Sequence, residues 1–356
     1  MLFTRRIYQT NISLDEAFKI WFEFINAFKP SGTEEILVAD SLGRVTAEAV
    51  QAKISSPFFH ASAMDGYAVH FIETFGASET NPVRLRLHEQ AVPVNTGDPI
   101  PSGFNAVIMV EDVNLSGESI EIIEPATPYK HVRTVGEDIV QTELILPENH
   151  VIRPVDIGAM LSGGNVKIRV RRKPLVAVIP TGNEIVAPGA PLKTGNIIDS
   201  NSYMIGNLII QWGGEFRKAD VVQDDRELLK QKILDASDKS DVVVVLAGAS
   251  AGTKDFTPNA VEDLGTVLVH GINIKPGKPV LLGSINSKPV IGLPGYPVAA
   301  HMTFEFFGKP LICRLLGIEP ARTETMKARL SRHVASSIGH EEFLRVKVGK
   351  VGDNFI

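Results

Sequence analysis

The chain has 356 residues, which at about 150 residues per domain gives two to three domains and excludes a small stapled peptide. Hydrophobic residues make up 44% and charged residues 22%, with Gly 30 and Pro 22, a composition that rules out disorder and fibrous repeats. Lys+Arg 36 against Asp+Glu 41 gives a net charge of -5, which argues against a bulk basic surface for nucleic acid or anionic membrane, and the single cysteine, Cys313, excludes an intramolecular disulfide or a Cys-rich zinc site.

In chain order, Met1 to Phe18 carries Arg5 and Arg6 but then turns polar, so no secretion signal is expected. Ser13-Leu-Asp-Glu16 is a capping box, and Leu14, Ala17, Phe18, Trp21, Phe22, Ile25 and Phe28 recur at helical spacing until Pro30 closes a first amphipathic helix. From residue 49 to 142 the texture changes to short β-rich runs (Val83 to Leu87, Ala106 to Val110, Ser119 to Ile123) separated by Gly, Pro, Asn and Asp, which reads as a mainly β domain.

After a basic connector, Arg169 to Lys173, apolar strands alternate with helices: Leu175 to Ile179, helix Ser202 to Trp212 ended by Gly213-Gly214, Phe216 to Val222, helix Arg226 to Ser237, and Asp241 to Leu246. Val267 to Val269, Val290 to Leu293 and a last helix from Pro297 to Leu316 follow. Near-continuous apolar strands with crossover helices specify a doubly wound α/β domain. The most apolar run, Val242 to Ala249, is far below the ~20 residues that span a bilayer, so a soluble, cytoplasmic protein without a membrane partner is expected. Cys313, beside Leu311, Ile312 and Leu315, reads as a core residue. From Ile318 onward the chain is basic and strand-like, with Glu342 to Val348 the best strand. About forty residues are too few for an ordinary independent core, so this stretch is expected to begin a domain whose remainder is absent.

Ligands of an open α/β sheet bind beyond the carboxyl ends of its strands. Here those positions read Pro180-Thr-Gly-Asn-Glu184, Gln223-Asp-Asp225, Ala247-Gly-Ala-Ser-Ala-Gly-Thr-Lys-Asp255 and Gly292-Leu-Pro-Gly-Tyr-Pro297. Gly248, Gly252 and Gly295 let backbone N–H groups approach an anion, and Pro297 suits the first residue of a helix whose N-terminus favours negative charge. Lys275-Pro-Gly-Lys278-Pro279 adds two ammonium groups on a stiff turn, while Glu184, Asp224, Asp225 and Asp255 are suited to hold Mg²⁺ between carboxylate and phosphate. Each loop alone also reads as an ordinary βα turn with solvated charges; four on one sheet edge favour a phosphate-like ligand.

The β domain adds Ser62-Ala-Met-Asp-Gly-Tyr67, Asn95-Thr-Gly-Asp-Pro-Ile-Pro101 and Arg133-Thr-Val-Gly-Glu-Asp138, each with a carboxylate or hydroxyl beside a glycine, as a tight turn also requires. His60 is expected to be structural or solvent-facing, since no second histidine lies at metal-ligand spacing. No Walker loop, GxSxG, zincin helix or CxxC pattern occurs.

These motifs, in this order, resemble the MoeA family of molybdenum cofactor biosynthesis, to which the C-terminal domain of gephyrin belongs. The similarity runs from the first helix to Leu316 and resumes weakly at Gly339 to Arg345. It is carried by Ser-Ala-Met-Asp-Gly at 62 to 66, the turn at 96 to 101, Lys-Pro-Gly-Lys-Pro at 275 to 279 and Gly-Leu-Pro-Gly-x-Pro-Val at 292 to 298. The resemblance implies a cytosolic homodimer with four parts: a linking domain (1–48 and 143–173), an inserted mainly β domain (49–142), a doubly wound α/β domain (174–317) and the start of a C-terminal β-barrel (318–356).

In that family, adenylylated molybdopterin binds between the α/β domain of one subunit and the β domain of the other. Molybdate is inserted at the dithiolene and AMP is released, assisted by Mg²⁺ or a similar divalent ion. By matching motifs, Asp255 and one of Asp224 or Asp225 would handle metal and pyrophosphate, and Lys275, Lys278 and Pro279 would border the oxyanion. Asp65, Thr96, Arg133 and Asp138 would act across the dimer cleft, with Glu184 lining it. Asp65, Glu184, Asp225 and Asp255 are thus the expected catalytic set, and Gly97, Thr181, Gly248, Ser250, Gly252, Pro294, Gly295 and Pro297 complete the substrate-binding set. Other molybdenum cofactor biosynthesis proteins are conceivable partners.

The chain departs from the family at Ala247 to Gly252, where Gly-Gly-Val-Ser-Val-Gly is usual, at Tyr296, where Asn is usual, and at His340, where the pattern has Arg. Two rival readings stand beside an enzyme: a non-catalytic gephyrin-like scaffold, which the retained acidic and lysine positions disfavour, and a generic nucleotide or sugar-phosphate binder, which leaves the β-domain motifs unexplained.

Overall fold

Helix α1 (Leu14–Asn26) begins where the extended backbone of Ser13 turns and its Oγ accepts the Glu16 N–H at 3.2 Å, which satisfies one of the orphan donors of the first turn. Its apolar stripe buries Leu14, Ala17, Trp21 and Ile25. The computed structural model describes residues 11–247, 256–320, 324–336, 338–351 and 354–355, and the chain divides into two compact units, Glu35–Val170 and Met1–Glu34 with Arg171–Ile356.

In the first of these units, Gly66–Val69 lies between Ala91–Val94 and Ala106–Met109 in one antiparallel sheet, and Ser119–Ile122 lies between Val83–Arg86 and Val113–Ser116 in another. Val69, Leu85, Ile108, Ile120 and Ile122 form the core beneath them. Helix α2 (Pro154–Ser162), which hydrophobic spacing does not announce, starts on Pro154 with Asp156 reaching back to the Arg153 N–H at 2.8 Å. The basic stretch expected as a connector is instead a strand, Lys167–Arg171, because Ile168 and Val170 alternate with the charges and turn inward.

The other unit is built on a six-stranded sheet: β1 (Leu175–Pro180), β2 (Glu215–Lys218), β3 (Val242–Leu246), β4 (Thr266–His270), β5 (Leu281–Ile285) and β6 (Lys288–Leu293), in the order β2-β1-β3-β6-β5-β4. The first four in that order are parallel, as near-continuous apolar runs require, and β5 and β4 extend the edge antiparallel. Sequence texture alone misses β5; the two-residue turn Asn286-Ser287, with φ of 51° and 61°, folds it back onto β6 as a hairpin. The expected strand to Val222 stops at Lys218 and survives beyond that only as an isolated bridge from Val222 to Thr181.

Helices α3 (Asn201–Gln211), α4 (Arg226–Lys239), α5 (Thr257–Leu264) and α6 (Pro297–Leu316) flank this sheet. Leu229 and Ile233 of α4 with Ala260 and Val261 of α5 pack on Ile179, Val243, Val245 and Val290. α3 and α6, packed on each other, cover the remaining face, so every residue of β3 is buried. α1 joins through α6: the Trp21 indole donates to the Phe307 carbonyl at 2.9 Å, and the Arg314 guanidinium donates to the carbonyls of Phe28 and Asn26 at the end of α1. Cys313 is buried in α6, and burial pushes its thiol up to about 11, an inert core residue as its neighbours suggest. Among the described residues no helix is long and apolar enough to cross a membrane.

The expected strand Glu342 to Val348 is a correction. Only Glu341–Glu342 pairs, in parallel with Ile274–Lys275, while 343–349 carry no strand and Leu344, Val346 and Val348 stay exposed. Alternating apolar residues make a strand when one face is covered, and no described element covers this one.

Candidate functional site

Parallel strands end together, and the carboxyl ends of β1, β3 and β6 open onto a cavity of about 540 Å³. Pro180 ends β1 and Thr181, Glu184 and Ile185 follow it, Leu246 ends β3 and Ala247 follows it, Pro294 to Pro297 follow β6, and Pro279 and residues 197–201 complete the lining. Of the residues expected from sequence, Thr181, Glu184, Pro279, Pro294, Gly295 and Pro297 therefore come together here. Gly248, Ser250, Gly252 and Asp255 lie outside the described residues, while Asp224, Asp225, Lys275 and Lys278 are not among the described residues lining the cavity.

The lining groups differ in what they still have to offer. The Thr181 hydroxyl donates to the Leu246 carbonyl at 2.9 Å, tying β1 to β3, so its proton is already committed. Glu184 is half-buried, and its carboxylate lies so close to Gly182 that a Cβ there would stand 2.7 Å from Oε1; Gly182, at φ 129°, is the residue that makes room for it. The Glu184 carboxylate has no hydrogen-bond or ion-pair partner among the described residues. Ala247 stands at φ 66°, a left-handed conformation that costs a Cβ-bearing residue about 1–2 kcal/mol. It faces Gly295, where an added Cβ would come within 3.5 Å of the Ala247 methyl.

Two helix N-termini meet at the cavity. The Asn201 amide at the start of α3 donates to the Gly295 carbonyl at 2.7 Å, and α6 starts at Pro297 on the next turn. In that wall Asp199, 3% exposed, accepts the Ser202 N–H with Oδ1, while Oδ2 sits 3.1 Å from the Lys218 ammonium, an ion pair without a directed hydrogen bond. Asn201 Oδ1 and Ser202 Oγ are also buried without a partner among the described residues, which gathers unsatisfied polar atoms on this helix start. Sequence reasoning missed Asp199, Ser200 and Asn201; a run of three capping residues before a predicted helix was the signal available.

Asp225 is engaged locally through one oxygen: it is the N-cap of α4, and its Oδ1 accepts the Leu228 N–H at 2.9 Å. Asp224, half-buried, is held through its backbone N–H by Asn183 Oδ1 at 3.1 Å, and its carboxylate has no partner among the described residues. Lys275 ends a two-residue strand with its ammonium 3.9 Å from Glu342, and Lys278 is tied into the turn through its carbonyl, which accepts the Ile272 N–H.

In the Glu35–Val170 unit the expected residues form a self-contained ledge. Asp65 Oδ1 accepts both the backbone N–H (2.7 Å) and the hydroxyl (3.0 Å) of Thr96, and those two bonds hold its carboxyl below the usual range. Gly66 fixes the position of Asp65: a Cβ there would lie 2.0 Å from the Ile108 carbonyl. Gly97 turns the neighbouring loop at φ 93°. Arg133 donates to both oxygens of Asp138, at 2.6 and 2.7 Å, and reaches Glu137 at 3.5 Å. His60 is structural, its Nδ1 accepting the Val135 N–H at 3.3 Å.

An α/β sheet-edge cavity with helix N-termini is the kind of site that suits phosphorylated small molecules. Comparison with known proteins makes this specific. Residues 12–164 match the family described as "MoeA N-terminal region (domain I and II)", and residues 177–314 match the "Probable molybdopterin binding domain". The chain is 36% identical to a molybdopterin biosynthesis protein of Methanocaldococcus jannaschii, covering 94% of this chain and 86% of that one. It is 31% identical to the molybdopterin molybdenumtransferase of Haemophilus influenzae, over 89% and 81%. A crystal structure of a molybdopterin biosynthesis MoeA protein from Pyrococcus horikoshii superposes with a TM-score of 0.77 at 38% identity, over 87% of this chain and 81% of that one. The chain belongs to the MoeA family, and its place is in molybdenum cofactor biosynthesis.

Proposed function

We propose that the chain is a molybdopterin molybdenumtransferase that inserts molybdate into adenylylated molybdopterin and releases AMP. The observation that carries this reading is the cavity at the carboxyl ends of β1, β3 and β6, where two helix N-termini meet beside Glu184, whose carboxylate has no partner among the described residues. The helix starts favour a phosphate anion, and Glu184 is free to orient or accept the proton of an attacking oxygen. A scaffold would gain nothing from an uncommitted carboxylate at the mouth of such a cavity, so the enzyme reading is preferred over a gephyrin-like one.

Among the described residues no three His, Cys, Asp or Glu side chains lie together as a metal site. The divalent ion is proposed as one shared with substrate phosphate, as Mg²⁺ commonly is. Asp224 is the carboxylate left free to meet it, since Asp225 caps α4; Asp255 is the further ligand expected from sequence. Such an ion would neutralise charge on the pyrophosphate as AMP leaves.

Lys275 and Lys278 as oxyanion contacts, Gly248, Ser250 and Gly252 as anion contacts, and Asp65, Thr96, Arg133 and Asp138 as residues acting across a dimer cleft belong to the same proposal. The four-part domain division, a homodimer and a cytoplasmic location belong to the same reading. Incubating the protein with adenylylated molybdopterin, molybdate and Mg²⁺ tests it. AMP release that requires both molybdate and the divalent ion is expected; intact substrate after exhaustive incubation with both would refute it.

A further inference from the structure

Helix α6 begins on a residue that local physics disfavours. The N-cap is best filled by Ser, Thr, Asp or Asn, whose side chain accepts a first-turn N–H. Ser13 does this for α1 and Asp225 for α4. At α6 the position holds Tyr296, with extended backbone and no side-chain cap bond. Nor is the ring withdrawn into the core, since Tyr296 is 83% exposed. It lines the cavity, and Pro297 after it keeps its backbone extended, which fixes where the ring is rooted.

Two more large apolar residues, Ile197 and Ile198, are exposed while lining the same cavity, at 56% and 42%. Pro180, Pro279 and Pro294 add rigid apolar wall. Exposed apolar side chains gathered at one opening mark a ligand-binding surface, and local rules are broken most often where a site needs them broken.

We propose that Tyr296 stacks on the flat nitrogen heteroaromatic ring of the bound substrate, with Ile197 and Ile198 supplying further apolar contact, so that this residue sets affinity for the ring and not for the phosphate. The inference rests on the reading of this cavity as the substrate site. Purine and pterin share the required chemistry, a planar π-face beside hydrogen-bonding nitrogen.

The test is calorimetric titration of the full chain and of Tyr296→Ala, Tyr296→Asn and Tyr296→Phe with AMP, neopterin and ribose 5-phosphate. Tyr296→Ala and Tyr296→Asn are expected to lose about 5- to 100-fold in affinity for AMP if the ring is the purine, or for neopterin if it is the pterin. Ribose 5-phosphate binding stays unchanged, and Tyr296→Phe stays within about twofold of the parent. A Tyr296→Ala chain that binds AMP and neopterin as tightly as the parent overturns the stacking role and leaves the site reading intact. A parent chain that binds none of the three probes overturns both.

Discussion

At the sheet edge, Glu184 and Asp224 have no side-chain partner among the described residues, whereas on the β ledge Asp65 holds two bonds from Thr96 and Asp138 holds Arg133 with both oxygens. The contrast follows from topology. Parallel strands end side by side, so their loops leave a cavity and residues facing it need not find protein partners. Antiparallel strands joined by tight turns bring each carboxylate back to the N–H groups and hydroxyls of the next turn, where it is consumed. The two regions teach that carboxylates in loops of similar composition can be left without a described partner in one setting and be consumed by neighbouring donors in the other.

The sharpest way to break that comparison is at Asp224 and Asp225. Asp224→Ala is expected to lower molybdate-dependent AMP release on the order of a thousandfold with the melting temperature unchanged. Near-parental turnover would show that an unpartnered carboxylate here means nothing. Within the Glu35–Val170 unit, Asp156 is the opposite extreme, buried and saturated by Arg153 and by His150 at 2.7 Å. Asp156→Ala should destabilise the protein by about 3 kcal/mol in urea titrations, because charge-assisted bonds and the α2 cap go together.

Bonds from Arg153, above all, hold the Asp156 carboxyl well below its ordinary value. A folded-state value below the unfolded one adds stability that is full above about pH 4 and is lost as pH falls further, so Asp156→Ala should flatten the acid limb of the stability profile. Equal acid sensitivity in parent and variant would contradict the saturation argument.

A smaller effect separates Asp225 from its neighbour: Asp225→Ala should cost about 1 kcal/mol of stability through the lost cap while AMP release falls less than tenfold. Smallest is Ala247→Gly, expected to stabilise by about 0.5–1 kcal/mol, the left-handed penalty of about 1–2 kcal/mol relieved less the smaller entropy cost of glycine. A loss of stability would show that the φ of 66° at Ala247 carries no strain.

Much of the α/β architecture was legible because buried parallel strands announce themselves as apolar runs; Val242 to Leu246 is read correctly to within one residue. β5 was not, because Leu281 to Ile285 contains Gly283 and Ser284 and is recognised as a strand only once the Asn286-Ser287 turn folds it onto β6. The motif loops marked the right strand ends, but spacing could not say that Asp225 serves a helix cap while the Asp224 carboxylate has no partner among the described residues, since that depends on which residue the helix starts from. Nor could it find Asp199, whose ion-pair partner Lys218 lies at the end of β2, far off in the chain.

The most direct test of the central claim, that substrate is held at the carboxyl edge of β1, β3 and β6, is hydrogen–deuterium exchange with and without adenylylated molybdopterin. The account predicts that protection on binding is strongest in backbone amides at 181–186, 197–204 and 295–300. Protection elsewhere in the chain with none in those three segments would contradict it.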